Sequence, residues 1–106
     1  MNVRFADHSI RFRVAQEELD RLLSGRSLVL EVPMLRSHVF RANVSSTALS
    51  QWQLESDPTG IWLSLPRTDL EQLAQAVPNR DGLEHGFDCS DGTVQVSFEV
   101  DVKQRG

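Results

Sequence analysis

Apolar and polar side chains alternate along this chain in short runs, and twice the alternation gives way to a 3-and-4 spacing. Ile10, Phe12 and Val14 alternate with Arg11 and Arg13; Leu19, Leu22 and Leu23 then follow at helical spacing. At a constant offset of 51 residues the same change recurs: Ile61, Leu63 and Leu65 alternate, and Leu70, Leu73 and Ala74 take the helical spacing. Period 2 marks a strand buried on one face, and period 3.6 an amphipathic helix. Residues 9–23 and 60–74 therefore each read as a strand running directly into a helix. The chain reads as one unit present twice.

The remaining pattern completes the unit. Val3 and Phe5 alternate with Asn2 and Arg4. A two-residue loop at Asp7-His8 pairs Phe5 with Ile10, Arg4 with Arg11 and Val3 with Phe12, so every apolar side chain shares one face. The first helix is predicted from about Gln16 to Leu23, with Glu17 and Glu18 in its first turn and Gly25 at a left-handed cap. Leu28, Leu30 and Val32 alternate up to Pro33, residues 38–44 form a further strand, and Ser45-Ser46-Thr47 reads as the linker between copies. Trp52 and Leu54 open the second copy, which turns through Asp57-Pro58-Thr59-Gly60. Pro66 suits a first helical position, with Thr68 and Glu71 a competing capping box. Pro78 closes that helix, and 79–82 is loop.

In the last hairpin Val94, Val96, Phe98 and Val100 alternate with polar residues. With Asp91-Gly92 as its turn, Cys89 faces Val94, Phe87 faces Val96, His85 faces Phe98 and Leu83 faces Val100. The prediction is a single α+β domain over residues 1–106, with halves of about 1–48 and 49–106. Each half is a strand-strand-helix-strand-strand unit. Mostly antiparallel strands then form an open curved sheet or a small barrel with two helices.

Charge refines this picture. The net charge is −4, which disfavours a general nucleic-acid binder, whose affinity needs a basic surface. Residues 1–53 carry +2 and residues 54–106 carry −6, so the halves are expected to face each other or a second copy of the chain. No apolar run approaches the ~20 residues of a membrane span, and no signal pattern opens the chain. The single cysteine, Cys89, cannot form an internal disulfide, which suits a reducing cytoplasm.

Candidate chemistry is sparse. No phosphate-binding glycine loop, nucleophile elbow or H-E-x-x-H occurs. Paired acids such as Glu17-Glu18 and Asp69 with Glu71 lie on polar helix faces as solvated charge. His85 and Cys89 lie two positions apart on one strand face without the second pair a zinc site needs, and are expected in the core. No catalytic residue, metal or cofactor is therefore expected.

The first hairpin is the exception, since it sets Arg4 opposite Arg11, with Arg13 on the same face. Like charges directly opposite one another destabilise a sheet by roughly 0.2–1 kcal/mol. Relief is expected from acids of the chain itself: Glu31 on the next strand, or Glu84, opposite Glu99 and beside Asp101, on the last hairpin. The alternative is a small anion held by the three arginines. Trp62 takes the repeat position of Arg11. With Trp52 it is either packed under a loop or helix or exposed as an interface anchor.

The run Ser9-Ile10-Arg11-Phe12-Arg13-Val14, followed by Gln16, Glu18 and Leu19, resembles the opening of a family of small uncharacterised bacterial proteins. Ile61-Trp62-Leu63-Ser64-Leu65-Pro66 looks like that family's internal echo. The resemblance implies a bacterial cytoplasmic protein and brings no activity, ligand or site residue with it. The function expected from the residues is a non-catalytic protein-binding or adaptor domain, with a protein partner or a homodimer. A small-anion binder using Arg4, Arg11 and Arg13 is the alternative. An enzyme of the tunnel-barrel type needs charged side chains facing inward, whereas the alternating face here is apolar.

Overall fold

The computed structural model of the chain describes residues 1–77 and 82–101. Two strands, β1 (Asn2–Ala6) and β2 (Ser9–Ala15), lead into α1 (Gln16–Leu23), and two more follow, β3 (Leu28–Pro33) and β4 (Val39–Thr47). The order then recurs as β5 (Gln53–Asp57), β6 (Gly60–Pro66), α2 (Arg67–Ala76), β7 (Gly82–Cys89) and β8 (Gly92–Asp101). The strands form two four-stranded sheets, in the orders β1-β2-β8-β7 and β3-β4-β6-β5. Within each sheet two antiparallel hairpins are joined by a central parallel pair, β2 with β8 and β4 with β6. The α+β class and the dominance of antiparallel pairing agree with the sequence. The single eight-stranded sheet and the closed barrel do not, because hairpins from opposite halves pair with one another.

The element boundaries follow local chemistry. α1 starts at Ala15, which has no side-chain acceptor; the Glu18 carboxylate instead reaches back to the Ala15 N–H at 2.9 Å. The helix ends in a Schellman motif: Arg26 N–H donates to Arg21 O, Gly25 N–H to Leu22 O, and Gly25 takes φ +90°. α2 is capped by Pro66 itself, so neither Pro66 inside the helix nor a Thr68 capping box is realised. Ser45-Ser46-Thr47 belongs to β4 rather than to the linker, which runs over residues 48–52. The predicted Pro78 stop and most of the 79–82 loop lie outside the described residues, and Gly82 already belongs to β7.

The first hairpin has the register expected of it, with Val3 opposite Phe12, Arg4 opposite Arg11 and Phe5 opposite Ile10. His8, in its turn, takes φ 61°. In the last hairpin the turn is Ser90-Asp91, so Cys89 lies opposite Gly92, Phe87 opposite Val94, His85 opposite Val96 and Leu83 opposite Phe98. A two-residue shift leaves every side chain on its predicted face but changes its partner. Glu84 consequently faces Ser97, and the expected Glu84–Glu99 clash does not arise.

One hydrophobic cluster joins both sheets and both helices. Phe12, Val14, Phe98 and Val100 come from the first sheet, Val44, Leu63 and Leu65 from the second, and Leu19, Leu22, Leu70 and Leu73 from the helices. The helices touch each other, and each touches strands of both sheets. Burying such a side chain is worth about 1.5–3 kcal/mol relative to exposure. Among the described residues no polar or charged residue is buried, so the inward faces are filled by apolar packing.

Candidate functional site

Three places carry polar or aromatic side chains out of register with simple packing. The first is the predicted arginine face. Because β8 lies parallel to β2, Arg11 and Arg13 project beside the acids of β8. Arg11 Nε lies 3.3 Å from Glu99 Oε1, and Arg13 Nη2 lies 3.4 Å from Asp101 Oδ1. Both pairs are solvent-exposed, which limits each to about 0–1 kcal/mol. Glu31 takes no part, since it pairs within its own sheet with Arg41 at 3.0 Å. Arg4 has no acid partner among the described residues. The recess between Asn2, Arg4, Arg11 and Arg13 has a volume of only about 10 Å³, room for about one water.

The second place is the outer face of the second sheet. Across it run Val29, Asn43, Trp62 and Glu55 in register. Trp62 is 38% exposed and Val29 52%, and among the described residues the Trp62 indole N–H has no acceptor. Asn43 between them is turned toward its own sheet, its Nδ2 donating to Ile61 O at 3.2 Å. The two tryptophans thus have different fates.

Trp52 lies in the third place, a cleft between the linker into β5, the first turn of α2, and β7. Its Nε1–H donates to Asp69 Oδ2 at 2.9 Å, which fixes the ring against α2. The His85 ring stacks on it with centroids 5.4 Å apart and planes 19° from parallel. Phe87 meets His85 edge-on at 4.8 Å. With Glu84 these residues line an open volume of about 510 Å³. Asp69, Glu84 and His85 share the cleft, yet no three His, Cys, Asp or Glu among the described residues are grouped to hold a metal ion.

This cleft corrects the expectation that His85 and Cys89 lie in the core. Both are exposed. Their strand face is the predicted one, but burial fades along β7 from Leu83 toward the turn, and β7 lies at the edge of its sheet, covered by a neighbouring strand on one side only. Trp52 and His85 stand 33 residues apart in sequence, and only the placement of β7 beside α2 brings them together. The sequence signal available for this site was an aromatic at the linker and a histidine on an otherwise apolar strand face.

A family model, described as a family of unknown function (DUF7009), matches residues 1–103, and the chain belongs to that family. No curated protein and no solved structure matches it. No helix of the described residues is long and apolar enough to cross a membrane.

Proposed function

We propose that this family member is a non-catalytic protein-binding domain whose contact surface is the outer face of the β3-β4-β6-β5 sheet, with a second copy of the chain as its partner. One contrast carries this reading. Arg11, on the first sheet, has its charge met by Glu99 of the same chain. Trp62, at the repeat position of Arg11, presents an aromatic ring to solvent, and its N–H donor has no acceptor among the described residues. Large aromatic side chains with one polar tip are the residue type that anchors protein interfaces. Val29 extends the apolar surface, and the Glu31–Arg41 pair gives the face both signs of charge. About a twofold axis this face meets itself, so that Arg41 of each copy can lie against Glu31 or Glu55 of the other.

We also infer that the two halves are copies of one strand-strand-helix-strand-strand unit. The strand-to-helix junctions at residues 15–16 and 66–67 support this, as do the two parallel ladders, which start at the equivalent residues Ser9 and Gly60. The setting we infer is the cytoplasm of a bacterium, where the exposed free thiol of Cys89 stays reduced.

The test is a mass-resolved size measurement over a concentration series. Wild type is expected to associate, and Trp62→Ser and Val29→Ser to remain monomeric with unchanged melting temperatures. A wild type that stays monomeric at its highest soluble concentration sinks this reading. The competing reading, a small-anion binder, is favoured by Arg4, which has no acid partner among the described residues. It requires phosphate to raise the melting temperature of wild type but not of Arg4→Ala.

A further inference from the structure

We propose that the free edge of β3 is a strand-addition site for an extended peptide segment with alternating apolar residues and acids at its ends. The site is the rim of the second sheet rather than its Trp62 face, and it does not rest on the pairing of two copies there. Backbone geometry gives the first argument. β3 ends its sheet and is hydrogen-bonded to β4 alone. Past Pro33 the same register continues, with the Met34 N–H donating to His38 O at 2.8 Å. Along an antiparallel ladder, backbone groups turn alternately toward the partner strand and away from it. Leu28, Leu30 and Val32 therefore direct their backbone groups at β4, as Met34 does, while Val29 and Glu31 turn their N–H and C=O groups outward. Pro33 shares the outward parity, where its missing N–H costs the ladder nothing. Among the described residues no backbone group meets the outward ones, and Val29, Glu31 and Pro33 are exposed.

Side chains give the second argument. A bare sheet edge templates further pairing, and proteins blunt such edges with charge. The other three edges follow this rule. Arg4 on β1, Glu55 on β5 and Glu84 on β7 each keep a charge that no opposite charge meets among the described residues. On β3 the one charge, Glu31, is met by Arg41 at 3.0 Å. Along its inward side burial falls from Leu28, which is buried, through half-buried Leu30 to Val32, 43% exposed. Apolar side chains on an added strand continue the core over Leu30 and Val32, as alternate side chains do in strand addition generally.

Charge selects the occupant. Arg26 and Arg36 stand beyond the two ends of β3, both exposed and without an acid partner among the described residues. Acids at both ends of an added segment meet them, whereas a basic segment is repelled. A second copy of β3 fits worse. Pairing two such strands antiparallel about Leu30 brings Arg26 of each copy toward Arg36 of the other, and pairing them about Glu31 opposes that acid to itself.

The probe is a blocked peptide with Val-Thr-Val-Thr-Val between pairs of aspartates, which reads the same in both strand directions. Comparison peptides exchange its aspartates for lysines or its valines for serines. Each is titrated at fixed ionic strength into the ¹⁵N-labelled full chain, and amide hydrogen exchange is followed residue by residue. The expected result is a saturable slowing of exchange, by at least about tenfold, at Val29 and Glu31. Leu30 and Val32, already paired with β4, change little. The lysine and serine peptides are expected to bind at least about tenfold more weakly. Arg26→Glu combined with Arg36→Glu is expected to reverse the preference between the aspartate and lysine peptides. Glu31→Pro removes an outward N–H that β4 does not use, and is expected to abolish binding. Glu31→Gln keeps that N–H and is expected to bind as wild type does. Unchanged exchange at Val29 and Glu31 in wild type, or equal binding of the lysine peptide, overturns the site. Protection of those two amides without peptide, lost on dilution, identifies a second copy at this edge and overturns it likewise.

Discussion

At Gly60 the backbone of β6 passes so close to β4 that a Cβ would overlap the Arg41 carbonyl oxygen. Gly60→Ala is therefore expected to destabilise the fold by about 1–3 kcal/mol, the usual cost of forcing atoms into filled space. Ser9, which opens β2 as Gly60 opens β6, already carries a Cβ, so Ser9→Ala is the control. Denaturant melts of the two variants decide the point, and equal stabilities would refute the close approach.

Glu18 offers a second residue-scale test. Burial alone would raise its carboxyl, but the Ala15 N–H, the N-terminal ammonium and Arg21 together hold it below its ordinary value. A carboxylate with a lowered folded-state value adds stability above its unfolded value, and that stability is lost as pH falls through the folded one. Glu18→Gln is thus expected to flatten the acid side of the stability-against-pH curve, and an unchanged acid limb would contradict it. Residues of this kind were half legible in the sequence. Glu18 stood in the first turn of a predicted helix, whereas the tightness at Gly60 comes from a strand that periodicity does not place beside it.

The hairpins show the same division at the scale of elements. Period-2 alternation assigned the faces of β1, β2, β7 and β8, because side-chain direction is a local property of an extended backbone. Partners depend on the turn, and moving the last turn by one residue moved every pairing by two. That shift put Glu84 opposite Ser97 and freed Glu99 for Arg11 across the parallel pair. Parallel pairing between distant hairpins leaves no trace in either hairpin's own sequence. Arg11→Glu places an acid beside Glu99 and is expected to lower stability by up to about 1 kcal/mol, less at high salt. Adding Glu99→Arg is expected to restore it. A double variant no more stable than Arg11→Glu alone would show that the pair contributes nothing.

At the scale of the whole molecule, each sheet takes one hairpin from the first half and one from the second. The recurring strand-strand-helix-strand-strand order was legible because hydrophobic spacing changes from strand to helix twice. The division into two sheets was not, since one eight-stranded sheet satisfies the same alternation. Neither half can complete a sheet alone, so residues 1–48 and 49–106 as separate chains are each expected to lack cooperative unfolding. Mixed together they are expected to regain it. A melting transition in either fragment by itself would argue that the halves are independent.

The two parallel pairs also differ in how long the chain must wait to make them. Ser45 and Ser64, across β4 and β6, are 19 residues apart in sequence, whereas Arg13 and Asp101, across β2 and β8, are 88 apart. Closing the longer loop costs about 1.4 kcal/mol more in chain entropy. The second sheet can therefore assemble early, from a continuous stretch of chain. The first sheet forms only once the two ends of the described fold have met, and until then Phe12 and Phe98 lack each other's cover. Truncating Val44 or Leu63 is expected chiefly to slow folding, and truncating Phe12 or Phe98 chiefly to speed unfolding. Stopped-flow kinetics of those four variants would read out the order in which the two sheets close.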